Sequence, residues 1–316
     1  MKKLLILSAM CLALTAQATV LRVSNRTNSG APYSSISDAI SAAEEGDTIM
    51  VDGSNTTYGN ITITKRVVLI GPGYLLSDNG VIAEGSPSAK LVTVASNYNQ
   101  AAGSIIMGFD ISSSVTLAQP NMVVTRCRVA GNISINTSAS NCIIHQNYIT
   151  GGSVACSSTS STAYAPSAQI TNNIFTRRAD DVGNINRFTD SYIAYNTMIG
   201  TTTNIHYGQE TNLTGCTIEN NIFFRLGNIS GNTYTNNLAL ADGSGEVFAN
   251  AGSDKAVKDG SDARADEFAG KGAFAGNDPY VISGIPAGPY ISDITVPTSV
   301  EQGQTLKVNV KLGVQQ

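Results

Sequence analysis

The chain has 316 residues, of which 19 are basic and 23 acidic, and only 13% of its positions are charged, against roughly 25% in ordinary soluble domains. Its polarity comes instead from 28 Asn, 33 Ser and 30 Thr. This composition argues against a helical protein rich in Lys and Glu and against a coiled coil, while 42% apolar residues and a small net charge argue against disorder. It predicts an all-β, turn-rich chain, and the mildly acidic charge without a basic patch disfavours nucleic acid as a partner.

Residues 1–18 form a predicted secretory signal peptide. Two lysines precede an apolar stretch over residues 4–14, which is too short to span a bilayer, and an A-x-A sequence ends at Ala18. A lipoprotein modified at Cys11 is the weaker alternative, because Met10 stands where a small residue is needed. We therefore expect cleavage after Ala18 and export to the periplasm, the outer surface or the medium, with no transmembrane segment in the remaining chain.

The first element after the signal peptide is a predicted short amphipathic helix. Four apolar residues with helical spacing lie on one face of it: Ile36, Ala39, Ile40 and Ala43. Ser35 or Ser37 can cap its start, and Gly46 is expected to end it.

A repeat of about 25 residues, as in solenoid proteins, follows from the middle of the chain onward. Its template reads small, any, apolar, any, polar, Asn, any, apolar, and it occurs in 142–149, 168–175, 191–198, 216–223 and 232–239. The template asparagines are Asn147, Asn173, Asn196, Asn221 and Asn237, and Cys127 takes their place one repeat earlier. Alternating apolar residues predict a half-buried strand, and we expect the asparagines to stack from coil to coil as a hydrogen-bonded ladder in a tight turn.

A second predicted strand recurs between the templates, beginning with Asn or Ser followed by Ile or Val. Its members are Asn132–Ile135, Ser153–Cys156, Asn184–Arg187, Asn204–Tyr207 and Asn228–Gly231. Two or three strands in each coil of about 25 residues predict a parallel β-helix and not a propeller, whose blades need about 40 residues.

The segments from Tyr33 to Val51 and from Tyr58 to Gly71 resemble the opening of right-handed parallel β-helix proteins of the pectin lyase-like superfamily, in particular secreted members from Bacteroides-type bacteria. The resemblance covers residues 20–240. It implies an all-β, right-handed parallel β-helix, or solenoid, whose N-terminal helix caps the open end of the stack. It leaves the activity open, because this superfamily contains lyases, hydrolases, adhesins and binding modules.

The C-terminal part differs in composition from the repeats. Charged residues return in 242–278, which we interpret as a cover over the last coils, and the strand-like runs Tyr290–Val296 and Thr305–Leu312 predict a hairpin cap. An export-sorting or anchoring tail is the alternative for this end. The predicted organisation is a signal peptide over 1–18, the β-helix with its cap over 19–241, and the cover with the hairpin over 242–316.

Family members usually act on the outer face of the strand that corresponds to the second repeated one. If its Ile and Val residues point inward, one outward column contains Ser134, Ala155, Asn186, His206 and Ser230. Charged and His side chains concentrate nearby, in residues 177–225, whereas Asp110 is the sole acidic residue in 85–179. As candidate catalytic residues we therefore select His206, Arg225, Arg177 and Asp181, and as candidate ligand contacts Asn186, Arg187, Tyr207, Glu210, Ser230 and Ser134.

We expect an exported protein that binds or scaffolds a polysaccharide or surface glycan as a monomer, without strong catalysis. A polysaccharide lyase acting on acidic glycans through Arg177, Arg225 and His206 is the main alternative, and Ca²⁺ belongs to that alternative alone. A glycoside hydrolase is the weaker enzymatic alternative, and an adhesin or structural protein is the third class. No other cofactor and no metal site is predicted.

Other residues are assigned to the core or to the surface. Four cysteines remain after cleavage at Ala18, and we expect them to be free and buried: Cys127, Cys142, Cys156 and Cys216. His145 is assigned to the surface, in a second outward column without a carboxylate one coil away. Four aromatic residues are assigned to the core and not to sugar-binding platforms: Tyr148, Phe175, Phe223 and Phe224.

Overall fold

The computed structural model describes residues 18–76, 88–91, 93–158, 160, 162–177, 185–200, 213–223, 230–239, 270–286, 288–295, 299, 303–305 and 307–315. The predicted signal peptide, apart from Ala18, lies outside them. Within these ranges no helix has the length and apolar character that a membrane crossing requires.

The described residues form three long sheets in which each strand pairs in parallel with its counterparts in the adjacent coils, and the two end strands of each sheet have one partner. Sheet A has ten strands in the described ranges: β1 (Val20–Val23), β2 (Thr48–Val51), β4 (Val68–Ile70), β7 (Ile105–Met107), β10 (Val123–Thr125), β13 (Ile143–His145), β17 (Gln169–Thr171), β21 (Tyr192–Ala194), β24 (Thr217–Glu219) and β26 (Thr233–Thr235). Among the described residues sheet B has six strands: β3 (Ile61–Thr62), β6 (Val94–Ser96), β9 (Val115–Leu117), β12 (Ile133–Ile135), β15 (Val154–Cys156) and β19 (Ile185–Asn186).

In the described part of the chain sheet C has eight strands: β5 (Lys90–Leu91), β8 (Asp110–Ile111), β11 (Arg128–Val129), β14 (Tyr148–Ile149), β18 (Ile174–Arg177), β22 (Thr197–Gly200), β25 (Ile222–Phe223) and β27 (Leu238–Ala239). A small sheet D joins β16 (Ala165–Pro166), β20 (Phe188–Thr189) and β23 (Leu213–Thr214). Because the chain visits sheets A, C and B in turn and then returns to sheet A one coil further on, the predicted all-β parallel β-helix is confirmed.

The core runs along the inside of the stack. The middle residue of each sheet A strand points inward, so that Ile106, Val124, Ile144 and Ile170 lie in successive coils with no exposed surface. Complete burial of such a side chain contributes about 1.5–3 kcal/mol. The inward face of each coil is covered by the coils above and below it. A single coil could therefore not bury these residues by itself.

The template asparagines form a buried ladder at the corner between sheets A and C. The Oδ1 atom of Asn173 accepts hydrogen bonds from the backbone N and the Nδ2 of Asn147, at 2.9 and 3.0 Å. Asn196 does the same for Asn173, and the ladder continues through Asn221 to Asn237. Cys127 takes the asparagine place below Asn147, whose Oδ1 accepts from its backbone N.

The left-handed backbone of this corner falls on the residue before each ladder asparagine. Positive φ angles occur at Arg126, Gln146, Asn172, Tyr195, Asn220 and Asn236. The side chain of the ladder asparagine thus points inward, while the left-handed residue turns the chain and directs its own side chain out of the stack.

The helix α1 (Ile36–Ala42) packs on the first coils with Ile36, Ala39 and Ile40 buried. Ser35 caps it by accepting a hydrogen bond from the backbone N of Asp38. The helix ends at Ala42, before Gly46, where Ala43 adopts an extended conformation, and in the turn that follows the buried Asp47 carboxylate accepts from the backbone N of Glu44.

The strap, defined as residues 270–286, runs along the outside of the corner between sheets A and C, in the direction opposite to the progress of the coils. Its Gly272 donates to the carbonyl of Asn220 near one end of the stack, and its Ser283 carbonyl accepts from Tyr74 near the other. A second hydrophobic cluster lies beneath it: Tyr74, Tyr148, Ile174, Ala273 and Tyr280. The rings of Tyr74 and Tyr148 stack with centroids 6.3 Å apart.

Two of the aromatic residues assigned to the core lie in different hydrophobic clusters. Phe175 is buried in the main core as predicted, whereas the buried Tyr148 belongs to the cluster beneath the strap, outside the coils. The side chain of Phe223 and the residue Phe224 lie outside the described part of the chain.

A C-terminal antiparallel hairpin follows the strap. It consists of β28 (Gly288–Thr295) and β29 (Asn309–Gln315), with a register shift between Ile291 and Asp293. The predicted hairpin is thus present.

All four cysteines are free and buried, as predicted. Burial raises the pKa of Cys127 to about 12 and that of Cys142 to about 11, so both thiols stay protonated and unreactive at neutral pH.

Candidate functional site

The outer column of sheet B is formed by the outward residue of each strand. It consists of Thr62, Ala95, Thr116, Ser134, Ala155 and Asn186. The register confirms that Ser134, Ala155 and Asn186 occupy one column, with Ala155 between the other two. It forms because the neighbouring Ile and Val residues, such as Ile133 and Ile135, point into the core.

Small uncharged side chains give this column its chemistry. Three are hydroxyls, two are methyl groups and one is an amide, and adjacent strands place them about 4.8 Å apart. Each is at least partly exposed, although the Oδ1 of Asn186 is itself buried and has no hydrogen-bond partner among the described residues. The column therefore presents a row of hydrogen-bonding groups interrupted by flat apolar positions.

Arg187, a predicted ligand contact, holds a neighbouring loop. Its φ angle is 64°, and its guanidinium Nη atoms donate to the carbonyls of Cys156, Ser158 and Ser160 at 2.5, 2.5 and 3.0 Å. Its Nε is buried and has no hydrogen-bond partner in the part of the chain that the structure describes. Two of its nitrogens are thus used to position the chain that follows β15.

The remaining predicted site residues are dispersed or lie outside the described ranges. Arg177 ends β18, where its backbone pairs with Gly200, and its side chain is not described. Ser230 is exposed in a turn before β26 and not in a strand of sheet B. The residues that lie outside the described part of the chain are Asp181, His206, Tyr207, Glu210 and Arg225. Whether they share a groove with Asn186 stays a prediction.

A second polar cluster, which the sequence did not reveal, involves His145. The predicted second column is confirmed, because Thr125, His145, Thr171, Ala194, Glu219 and Thr235 are in register on sheet A. His145 lies in this outward column as predicted, but its side chain is only 16% exposed and is bonded on both ring nitrogens. The partner is Asp278 of the strap, 133 positions later in the sequence, so coil spacing could not predict it.

Five side chains form a continuous hydrogen-bond relay through this cluster. Arg126 Nε donates to Gln146 Oε1 at 2.8 Å, and Gln146 Nε2 donates to Asp278 Oδ1 at 2.8 Å. The other carboxylate oxygen, Oδ2, lies 3.0 Å from His145 Nε2, and His145 Nδ1 lies 2.8 Å from Thr171 Oγ1. We call these residues the relay; it links the buried corner to a hydroxyl on the outer face of sheet A.

Burial sets the electrostatics of the relay. It lowers the pKa of His145 more than the nearby Asp278 carboxylate raises it, and Arg126 lowers it further. Burial also lowers the pKa of the Arg126 guanidinium, against the opposing effect of Asp278. At neutral pH the imidazole is therefore neutral and can accept a proton.

Two coils above Thr171 on the same face, Glu219 accepts a hydrogen bond from the Tyr192 hydroxyl at 2.5 Å. The pKa of Tyr192 is raised by burial and by this carboxylate.

Among the described residues no group of three or more His, Cys, Asp or Glu side chains is arranged to hold a metal ion.

Comparison of the chain with protein-family models, with curated proteins and with solved structures gives no significant match.

Proposed function

We propose that this protein is an exported β-helix protein that binds a polysaccharide or surface glycan along the outer column of sheet B. The observation that supports the proposal is the column itself, in which six successive coils each present one small uncharged residue to solvent.

A column of this kind matches a polymer better than a small molecule. Its groups repeat at about 4.8 Å along the stack, so an extended chain of sugars can contact several coils at once. Hydroxyl groups such as those of Thr116 and Ser134 can donate to and accept from sugar hydroxyls, and the methyl group of Ala155 leaves room for the face of a ring.

The ligand contacts at the far end of the column are Asn186 and Arg187. Within the described ranges, the buried Oδ1 of Asn186 lacks a hydrogen-bond donor and the buried Nε of Arg187 lacks an acceptor. Buried groups of this kind cost about 1–3 kcal/mol each when unpaired. A ligand hydroxyl reaching both groups after a small side-chain movement would satisfy the acceptor and the donor together.

This proposal has three further parts. The chain is exported after cleavage at Ala18 and is monomeric, and it belongs to the pectin lyase-like superfamily, with a likeness to secreted proteins of Bacteroides-type bacteria. The lyase alternative, with Ca²⁺ and with Arg177, Asp181, His206 and Arg225, and the adhesin alternative are decided by the same experiment.

The test measures retention of the purified chain on a panel of neutral and uronate polymers, with and without Ca²⁺. Ala155→Arg should abolish retention, because the long side chain covers the centre of the column. Asn186→Ala and Ser134→Ala should each weaken retention about three- to tenfold, the equivalent of one hydrogen bond. The matched control is Thr233→Arg at an exposed position on sheet A.

The outcomes separate the classes of function. Loss of retention in Thr233→Arg, with Ala155→Arg unaffected, would place the ligand on another face. New ultraviolet absorbance from an unsaturated product, lost in His206→Ala and Arg225→Ala, would establish the lyase. A chain that neither retains nor cleaves any polymer would overturn the proposal and favour the structural class.

A further inference from the structure

We propose that Thr171, His145 and Asp278 form a site that hydrolyses carboxylic esters on the outer face of sheet A. Thr171 is the nucleophile, His145 is the general base and Asp278 is the positioning residue. This activity does not depend on glycan binding by sheet B.

The hydrogen-bond partners of His145 fix its tautomer. A carboxylate accepts but does not donate, so Asp278 Oδ2 at 3.0 Å requires the proton on His145 Nε2. The Nδ1 atom then carries a lone pair, and at 2.8 Å it accepts the hydroxyl proton of Thr171. A hydroxyl, an imidazole and a carboxylate joined in this order are the arrangement that activates a nucleophile.

The orientation of Asp278 is set by buried side chains. Gln146 is 1% exposed and donates to Asp278 Oδ1, and Arg126, 8% exposed, donates to Gln146 in turn. Asp278 is therefore held by the fold although its own side chain is 71% exposed.

Part of this hydrogen-bond network serves to attach the strap, but the hydrogen bond between Thr171 and His145 does not. The strap is bound by Arg126 at the Ile285 carbonyl, by Gln146 at the Pro279 carbonyl and by Asn172 at the Ala273 and Ala275 carbonyls. Within the described contacts the Thr171 hydroxyl bonds to His145 and not to the strap.

The reaction balances without a cofactor. Thr171 Oγ1 attacks the ester carbonyl carbon while His145 Nδ1 takes the hydroxyl proton. The bond to the alcohol oxygen breaks, and His145 gives that proton to the departing alkoxide. Water then attacks the acyl-threonine with His145 again as base, and Thr171 regains its proton as the acid leaves. One ester and one water thus yield one acid and one alcohol.

The surroundings of Thr171 favour a neutral acyl group. The next residue up the column is Ala194, a buried residue that adds neither a charge nor a polar side-chain group next to the hydroxyl. Glu219 follows one coil further, about 10 Å from Thr171 by coil spacing. With Asp278 on one side and Glu219 on the other, an anionic acyl group would be repelled.

The experiment measures hydrolysis of p-nitrophenyl acetate by the purified chain. Thr171→Val, which keeps the shape and removes the hydroxyl, and His145→Gln should each lower the rate at least about a hundredfold. Thr125→Val is the matched control, because Thr125 flanks His145 in the same column on the opposite side, and it should leave the rate within about twofold. Equal melting temperatures for the two Val variants would exclude a folding defect.

Two further readouts separate catalysis from a structural role. A fluorophosphonate probe should label Thr171, as located by mass spectrometry. Asp278→Asn should lower the rate and move the acidic limb of the rate–pH profile to lower pH, because the imidazole loses its carboxylate. Three results would each overturn the proposal. They are a Thr171→Val variant that hydrolyses the ester at the original rate, a probe that labels another residue, and an original chain whose hydrolysis rate does not exceed that of His145→Gln.

Discussion

One asparagine per coil satisfies main-chain groups of the preceding coil and bonds to the asparagine side chain of the next coil, at the corner between sheets A and C. Asn196 accepts from Asn173 with its Oδ1, and its Nδ2 donates to the Ile170 carbonyl and to Asn221. No water reaches this position, because Asn196 has no exposed surface. Its hydrogen bonds are therefore expensive to lose, since each unpaired group would stay buried.

We predict that Asn196→Ala lowers the free energy of unfolding by about 3 kcal/mol or more, because several buried groups lose their partners. The control is Asn237→Ala at the partly exposed end of the ladder, where the loss should be about 1 kcal/mol. Urea unfolding measures both. Equal losses would show that the ladder does not act through buried groups.

His145 is a single residue that is expected to make the folding stability depend on pH. Since burial lowers its folded pKa, the unfolded chain binds the proton more readily, and the stability contributed by this residue falls as the pH drops below about 6.5. We predict that the melting temperature of His145→Gln changes less between pH 7.5 and pH 5.5 than that of the original chain. A variant with the same or a larger change would contradict this sign.

The strap is the element that sequence patterns could not place. The repeats predicted the strands of sheets A and C and the column of Ser134, Ala155 and Asn186, because a coil repeats its own spacing. Asp278 and Tyr280 belong to no repeat, and their partners lie 133 and 206 positions away. The early coils also lack the template, since Gly108 and Phe109 take the places that Gln146 and Asn147 hold later.

The strap should be held mainly by its aromatic contacts. Tyr280 is 4% exposed, and its hydroxyl is bonded to that of Tyr74. We predict that Tyr280→Ala costs about 3–5 kcal/mol, as is usual for a buried aromatic residue. Tyr98→Ala, at a residue that is 51% exposed, should change stability by less than about 0.5 kcal/mol. Thermal unfolding of both variants checks the contrast.

At the scale of the whole molecule, the stack depends on a uniform distance between coils. A Cβ atom added at Gly152 would lie 2.0 Å from the Gly131 carbonyl oxygen of the neighbouring coil. Neither backbone can move without disturbing the sheets on both sides. Spacing is thus set by main-chain contact at this turn as well as by side-chain packing.

We predict that Gly152→Ala destabilises the protein by more than about 2 kcal/mol, since it forces two coils apart. Gly30→Ala is the control: it has open space around it and a φ of +68°, so about 1 kcal/mol of backbone strain is expected. Melting temperatures in the reverse order would show that local backbone strain outweighs coil spacing.

The direction of the strap has a consequence for how the molecule unfolds. In a simple solenoid each coil contacts its immediate neighbours, so coils can melt one by one from an open end. Here the strap contacts residues from Asn220 back to Tyr74, so that a segment synthesised after these coils fastens coils made much earlier. The strap thus links coils that are not neighbours. An end coil cannot unfold without releasing the strap, which also stabilises coils in the opposite half of the stack. The coils that the strap contacts should therefore unfold as one cooperative unit.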